Sequence, residues 1–328
     1  MDNSQPEPSW TPAASLATLE QRARFLARLR TWFADRGFIE VQTPLLTREC
    51  IIDRYVEPVA VPLAGESFYL HTSPEFAMKR LLAAGMKKIW QICPVFRAGE
   101  NGRRHNTEFT MLEWYETGVS YEQGRDFLAQ LICDMTGTAT CGQIPYEDAL
   151  FAATGLHFGS SLAELRAFAE NRHLAYPSSW LTEGGAEWTD WLDLIFDACL
   201  LPGFQDPVII YDFPWQDSQL ARIRTVTRHN RQQEVTARYE LYYRGLELAN
   251  GYDELTDATE LADRFHHRQE ARARDGRNCL PDGHKLLAAM ASGLPNSCGC
   301  ALGVDRLFML LAGLDSIDQT IAFPYDRA

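Results

Sequence analysis

Apolar residues recur with a helical period from Leu16 onward. Leu19, Ala23, Leu26 and Phe33 share one stripe, while Arg22, Arg24 and Arg28 fall elsewhere. Gly37 suits a helix terminus. Residues 38–41 then read as a short strand, and Pro44 closes the unit. Residues 89–97 and 108–115 read as strands joined by a polar loop at 98–106, which predicts a hairpin with a long basic turn. The stretch 120–205 is mainly helical, with apolar periods over 121–135, 161–173 and 187–200. A strand at 208–213 stops at Pro214. Residues 239–249 form a strand pair around Arg244-Gly245, and 257–274 a polar, Arg-rich helix. Residues 299–303 lead into an apolar helix from about Asp305. Residues 1–15, rich in Pro, Ser, Ala and acid, read as a tail. No repeat or linker divides the remainder. The pattern predicts an α+β fold with an antiparallel sheet flanked by helices.

Composition narrows the class. Of 328 residues 46% are hydrophobic and 23% charged, which is globular. No apolar run approaches the roughly 20 residues of a membrane helix. The opening residues lack the basic region and apolar core of a secretory signal. The net charge of -13 argues against broad nucleic-acid binding, which rests on phosphate neutralisation. It leaves room for a local basic site. The eight cysteines form no CxxC pair and fit reduced thiols of the cytoplasm. Cys298 and Cys300 with His284 lack a second ligand pair, so small buried residues are the plainer reading.

Three clusters carry chemistry. In the first, a two-residue turn at Arg244-Gly245 pairs Tyr243 with Leu246 and Tyr242 with Glu247. Alternation then puts Glu240, Tyr242, Glu247 and Ala249 on one face. Glu240 and Glu247 become diagonal neighbours, roughly 7–8 Å apart at the backbone. Carboxylates so placed can converge on Mg²⁺. Geometry alone slightly favours two glutamates facing water. Asn250-Gly251, Asp253 and Glu254 add a turn and more acid beside that face and favour the cation. In the second cluster Phe109, Met111, Glu113 and Tyr115 share a strand face, and the loop supplies Arg97, Arg103, Arg104, His105 and two glycines. Arginine forks match phosphate oxygens. The commoner fate of an Arg-rich loop is solvation. In the third, Asp305 and Arg306 open a helix after small residues; Arg306 opposes the helix dipole, which suits an arginine holding an anion or a base, or one reaching for Asp305. Walker and dinucleotide glycine fingerprints are absent.

Together these clusters resemble the three motifs of class II aminoacyl-tRNA synthetases. Motif 1 is the first helix with residues 38–44. Motif 2 runs from Phe96-Arg97 to Tyr115, and motif 3 is Gly303-Val-Asp-Arg306. Thr72-Ser-Pro-Glu75, His105-Asn106, Glu108-Phe-Thr-Met-Leu-Glu113 and Leu246-Glu-Leu-Ala-Asn-Gly251 are similar to the lysyl branch. The resemblance covers residues 16–328 as a class II catalytic domain, with a helical insertion at about 120–205. Motif 1 begins almost at the start, where lysyl enzymes carry an anticodon-reading OB-fold. The chain therefore resembles the truncated lysyl-tRNA synthetase paralogues, a family that attaches (R)-β-lysine to one lysine of translation elongation factor P.

That resemblance implies roles. Arg97 would be catalytic, holding the amino-acid carboxylate and the α-phosphate. Phe109 and Arg306 would sandwich adenine; His105 and Asn106 would lie along ATP. Ala98, Gly99, Glu100, Glu247, Leu248 and Gly303 complete the ATP site. Ser73, Pro74, Glu75 and Ala301 would line the amino-acid pocket, with Tyr115 and Glu254 on the distal ammonium and Asn250 on the carboxylate. Glu240 and Glu247 would hold Mg²⁺. Departures are Ala98-Gly99 with Glu100 displaced from the usual Arg-Asn-Glu, Thr107 for Pro, and Ala301 for Gly. One methyl group shifts discrimination by about 1–3 kcal/mol, so Ala301 is expected to favour β-lysine over lysine. The family further implies a C2 homodimer, no membrane and no stable tRNA binding. The Arg-rich segments 222–231 and 264–277 are either a docking surface for elongation factor P or solvated faces. A minimal tRNA-charging enzyme and a non-catalytic regulatory subunit are the competing readings. The second predicts broken motif residues, yet Arg97, Glu240, Glu247 and Arg306 are all present. Tyr115 with Glu254 speaks against an asparagine-synthetase-like site.

Overall fold

The computed structural model describes residues 10–182, 185–228 and 230–328. The predicted tail falls largely outside them. Its last residues are anchored: the Ala13 and Ala14 amides donate to Ala322 and Ile321 carbonyls at 2.8 and 3.3 Å, and Ser15 caps the first helix.

In chain order the elements are α1 (Leu16–Ala34), β1 (Ile39–Glu40), β2 (Leu46–Thr47), β3 (Val59–Leu63), β4 (Glu66–Leu70), α2 (Glu75–Ala83), β5 (Lys88–Phe96), β6 (Glu108–Thr117) and α3 (Tyr121–Thr136). There follow β7 (Gly142–Pro145), α4 (Tyr146–Thr154), α5 (Leu162–Asn171), α6 (Trp188–Cys199), β8 (Val208–Pro214), β9 (Ile223–Arg228), β10 (Arg231–Tyr243) and β11 (Leu246–Asp253). The chain closes with α7 (Ala258–Arg274), α8 (His284–Ala291), β12 (Ser297–Gly303) and α9 (Val304–Ala312). The sequence predicts one catalytic domain with a helical insertion. In the structure the chain packs as two compact units. The first holds the chain up to Gly118, Thr256–Pro295 and Ala301–Ala328; the second holds Val119–Leu255 and Asn296–Cys300. The hairpin of β10 and β11 thus travels with the helical segment.

In the first unit β5 pairs antiparallel with β6 and parallel with β1. The α1 helix begins at Ser15, whose hydroxyl accepts the Thr18 amide, a cap contributing about 1 kcal/mol. It buries Phe25, Leu29, Trp32 and Phe33, with Phe33 stacked on Trp90 of β5 at 4.9 Å. A small sheet of β2, β4 and β3 lies in the same unit. The Arg-rich helix α7 is not solvated throughout. Arg272 is fully buried and donates to the carbonyls of Asp53, Val56 and Asn278 and to Glu57. Arg268 pairs with Asp53, Arg277 with Glu57, and Arg54 reaches back to Asp275. These cations tie the segment 53–57 onto α7.

In the second unit the order is β11-β10-β8-β7, with β9 also on β10. Helices α4, α5 and α6 bury a core around Tyr146, Leu150, Trp191, Ile195 and Phe196. Helix α3 opens with a capping box of Ser120 and Gln123 and approaches Cys298 closely at Gly124, where a Cβ would meet the cysteine at 2.9 Å. Three arginines of 222–231 are engaged within the unit. Arg224 and Arg228 both pair with the buried Asp212, and Arg222 bonds Asn296. No helix among the described residues is long and apolar enough to cross a membrane.

Candidate active site

The site residues fall into a group in each unit. In the first unit, strand β6 carries Glu113 and Tyr115 on the face the alternation predicts. Glu113 is 1% exposed. Ser73 Oγ donates to its Oε2 at 2.6 Å, and Tyr115 Oη to its Oε1 at 2.6 Å. Ser73 Oγ also accepts the Glu75 amide at 3.0 Å, and Pro74 caps α2. Glu75 pairs with Lys79 one turn on at 2.6 Å, both buried. Burial, then the neighbouring Glu75, pushes the Glu113 carboxyl up to about 7, against the two hydroxyl donors and Lys79. Glu113 therefore has hydroxyl partners, while the nearest cation is held by Glu75. Such a carboxylate is poised to take an ammonium group.

The sequence roles leave Glu113 out, although it is the acid on an otherwise apolar and aromatic strand face. Gln91 is missed as well. It lies opposite Glu113 in register and is buried, and its Oε1 has no hydrogen-bond partner among the described residues. A polar residue paired across the strands with a buried acid was the available signal. Ala301 packs against Cys93, Val95 and Met111.

The basic loop supplies the other functions of this unit. Arg97 lies over the Phe109 ring at 5.1 Å and 3.8 Å from Glu100. Its buried Nε has no hydrogen-bond partner among the described residues, which suits an arginine awaiting an anion. Ala98 donates its amide to Glu57 at 2.7 Å, and Gly99 adopts a left-handed φ of 81°. Glu100 thus turns toward Arg97. Arg306 Nη2 lies 2.6 Å from His105 Nε2, and Arg306 Nε donates to the Arg104 carbonyl. Its neighbour Asp305 is not its partner. Asp305 is buried, accepts the Thr110 amide at 2.6 Å and pairs with Arg22 at 2.5 Å. Asn106 is buried and engaged internally, donating to the Glu108 carbonyl and accepting the Tyr325 amide. It braces the loop. Gly303 is the N-cap of α9.

In the second unit the hairpin turn is as the sequence predicts: Tyr243 pairs with Leu246 and Tyr242 with Glu247. Beyond it the register shifts, because Leu241 pairs with Ala249 and Glu240 with Asn250. Leu248, buried, is the extra residue. The expected face is corrected accordingly. Ala249 leaves it and Asn250 joins Glu240, Tyr242 and Glu247, since a bulge reverses the alternation. Glu240 is buried rather than facing water, whereas Glu247 is exposed. Glu240 accepts from Arg238 and from Tyr242. Burial raises its carboxyl to about 7; Arg238 lowers it and the nearby Glu247 raises it. Two carboxylates that repel each other suit a divalent cation, and the donor set fits Mg²⁺. Among the described residues no group of three or more His, Cys, Asp or Glu forms a metal cluster. Glu254 is buried, and its amide donates to the Ser297 carbonyl. Cys298 and Cys300 are buried and His284 is exposed, so the plainer reading holds for them.

The first unit thus holds a buried carboxylate pocket and an arginine loop, and the second a hairpin with paired glutamates. The family of class II tRNA synthetases (D, K and N) matches residues 11–327, and the chain belongs to it. Within that class, its relatives include the elongation factor P--(R)-β-lysine ligase of Vibrio vulnificus strain YJ016. The two are 38% identical over 97% of this chain and 99% of that protein. The Salmonella typhi protein of the same name is 37% identical over 98% of each chain.

Proposed function

We propose that this chain is an elongation factor P--(R)-β-lysine ligase that works in the cytoplasm. The observation that carries the reading is Glu113, a buried acid with two hydroxyl partners and a raised carboxyl, in a chain whose relatives bear that name. A diamino acid supplies the cation such a pocket needs. Tyr115, Ser73 and Glu75 position it.

In the first step a carboxylate oxygen attacks the α-phosphorus of ATP. The bond to the β-phosphate breaks, and pyrophosphate leaves. Arg97 stabilises the charge that develops, and Phe109 and Arg306 hold the base. Glu240 and Glu247 would hold Mg²⁺, which would supply charge to neutralise the triphosphate. In the second step a neutral lysine ε-amine attacks the acyl carbon of the adenylate. An amide forms, AMP leaves and the amine loses a proton. The reading also includes a homodimer.

The test is intact mass spectrometry of elongation factor P incubated with this protein, Mg·ATP and (R)-β-lysine, with tRNA present. The expected result is one β-lysyl addition on the factor and uncharged tRNA. Charged tRNA with an unmodified factor would indicate a minimal synthetase. Arg97→Ala and Glu247→Ala should each lower pyrophosphate exchange by about 100–1,000-fold with the fold intact.

A further inference from the structure

Asn250 sits in a closed circuit of hydrogen bonds. Arg238 Nε donates to Asn250 Oδ1 at 3.2 Å, and Asn250 Nδ2 donates to Tyr252 Oη at 2.9 Å. Tyr252 Oη donates to Gln219 Oε1. Gln219 Nε2 donates to Asp217 Oδ1 at 3.3 Å, and Asp217 Oδ2 accepts from Arg238 Nη1. The direction of the circuit is fixed by chemistry. A guanidinium only donates and a carboxylate only accepts, so each amide between them has one allowed orientation.

We propose that this circuit is a positioning device that makes Asn250 a reader of carboxylate. The proposal rests on the reading of Asn250 as the ligand of the substrate carboxylate. An asparagine amide presents an acceptor on one side and donors on the other, and its two orientations have nearly the same shape. A carboxylate needs the donor. With Oδ1 held by Arg238, the amide nitrogen takes the opposite side. One N–H goes to Tyr252, and the other has no acceptor among the described residues. The bulge at Leu248 brings Asn250 to this face, and Arg238 and Tyr252 come from the same side of the strand pair. The far side of the circuit is held under strain: Gln219, a non-glycine residue, has φ of 42°. Arg238 is buried and also holds Glu240, so one guanidinium orients both the carboxylate reader and the Mg²⁺ ligand.

The test compares binding of (R)-β-lysine with binding of its carboxamide, measured by calorimetry on the intact protein. The wild type should prefer the carboxylate. In Arg238→Met that preference should fall about tenfold, because the amide can turn its oxygen toward the ligand, and in Tyr252→Phe it should fall a few-fold, because the amide loses one of its two anchors. Arg238→Met strands buried acids and can fail to fold; Tyr252→Phe keeps the guanidinium and keeps the test decisive. A Tyr252→Phe protein with wild-type melting temperature and an unchanged preference overturns the proposal. Asn250→Ala separates the two layers. Unchanged affinity for (R)-β-lysine there removes the parent reading and the device with it. Weakened affinity beside an unchanged preference in Tyr252→Phe removes the device alone.

Discussion

Glu113 and Glu240 are both buried glutamates whose carboxyls rise to about 7, yet their surroundings differ in one respect. Glu240 has a guanidinium against it. Glu113 has two hydroxyls, and the cation of its neighbourhood is held by Glu75. Desolvation of a carboxylate is strongly unfavourable unless a cation compensates it. In the hairpin the protein supplies that cation and obtains fixed geometry. In the Glu113 pocket the compensation is left to the ligand. A buried acid can thus serve as scaffold or as selector, and the nearest cation decides which.

Removing the charge at Glu113 should have the largest effect. Glu113→Gln keeps the shape and should lower kcat/KM for (R)-β-lysine by about 1,000-fold or more, because the buried ammonium then lacks its counter-charge. Pyrophosphate exchange would measure it. A loss below tenfold would place the selector elsewhere. Lys79→Met should come next. It leaves Glu75 buried without its partner and should cost about 3–5 kcal/mol of stability in chemical denaturation.

The pH response tests Glu113 directly. An acid whose folded pKa is raised stays protonated, and uncharged, up to about 7. Its contribution to stability is fully present below the unfolded carboxylate value and is lost as pH rises through about 7. Substrate binding needs the ionised form, so kcat/KM should rise with pH through the same region. Glu113→Gln should flatten that rise and remove the loss of stability between the unfolded carboxylate value and about 7. The smallest effect is expected at Ala301. Ala301→Gly should shift the ratio of specificity constants for (R)-β-lysine and lysine by about 1–3 kcal/mol, and an unchanged ratio would remove it from the discrimination.

The long elements were legible in the sequence because their periods are clean. The strands about residues 89–97 and 108–115 and the helices at 121–135 and 257–274 all stand within a few residues of their predicted ends. The hairpin turn was legible because Arg244-Gly245 admits one short connection, with both residues at positive φ. The bulge was not. Leu248 is an ordinary strand residue, and nothing in its side chain announces that it will stand unpaired. Helix α2 was hidden because Thr72-Ser-Pro-Glu75 was read only as pocket chemistry. The arginines of α7 looked like a surface feature, since composition does not reveal that backbone carbonyls of a distant segment will claim them. Glu113 was in view on its strand face. What the sequence lacked was the depth of its burial, a property of packing and not of alternation.

The anchoring of segment 53–57 has a mechanical meaning. Arg272 grips Glu57, and the Glu57 carbonyl receives the Ala98 amide, the residue next to Arg97. The path from α7 to Arg97 runs through two grips. A lesion at Arg272 would therefore slacken the loop after Arg97 while every side chain of that loop remains in the sequence.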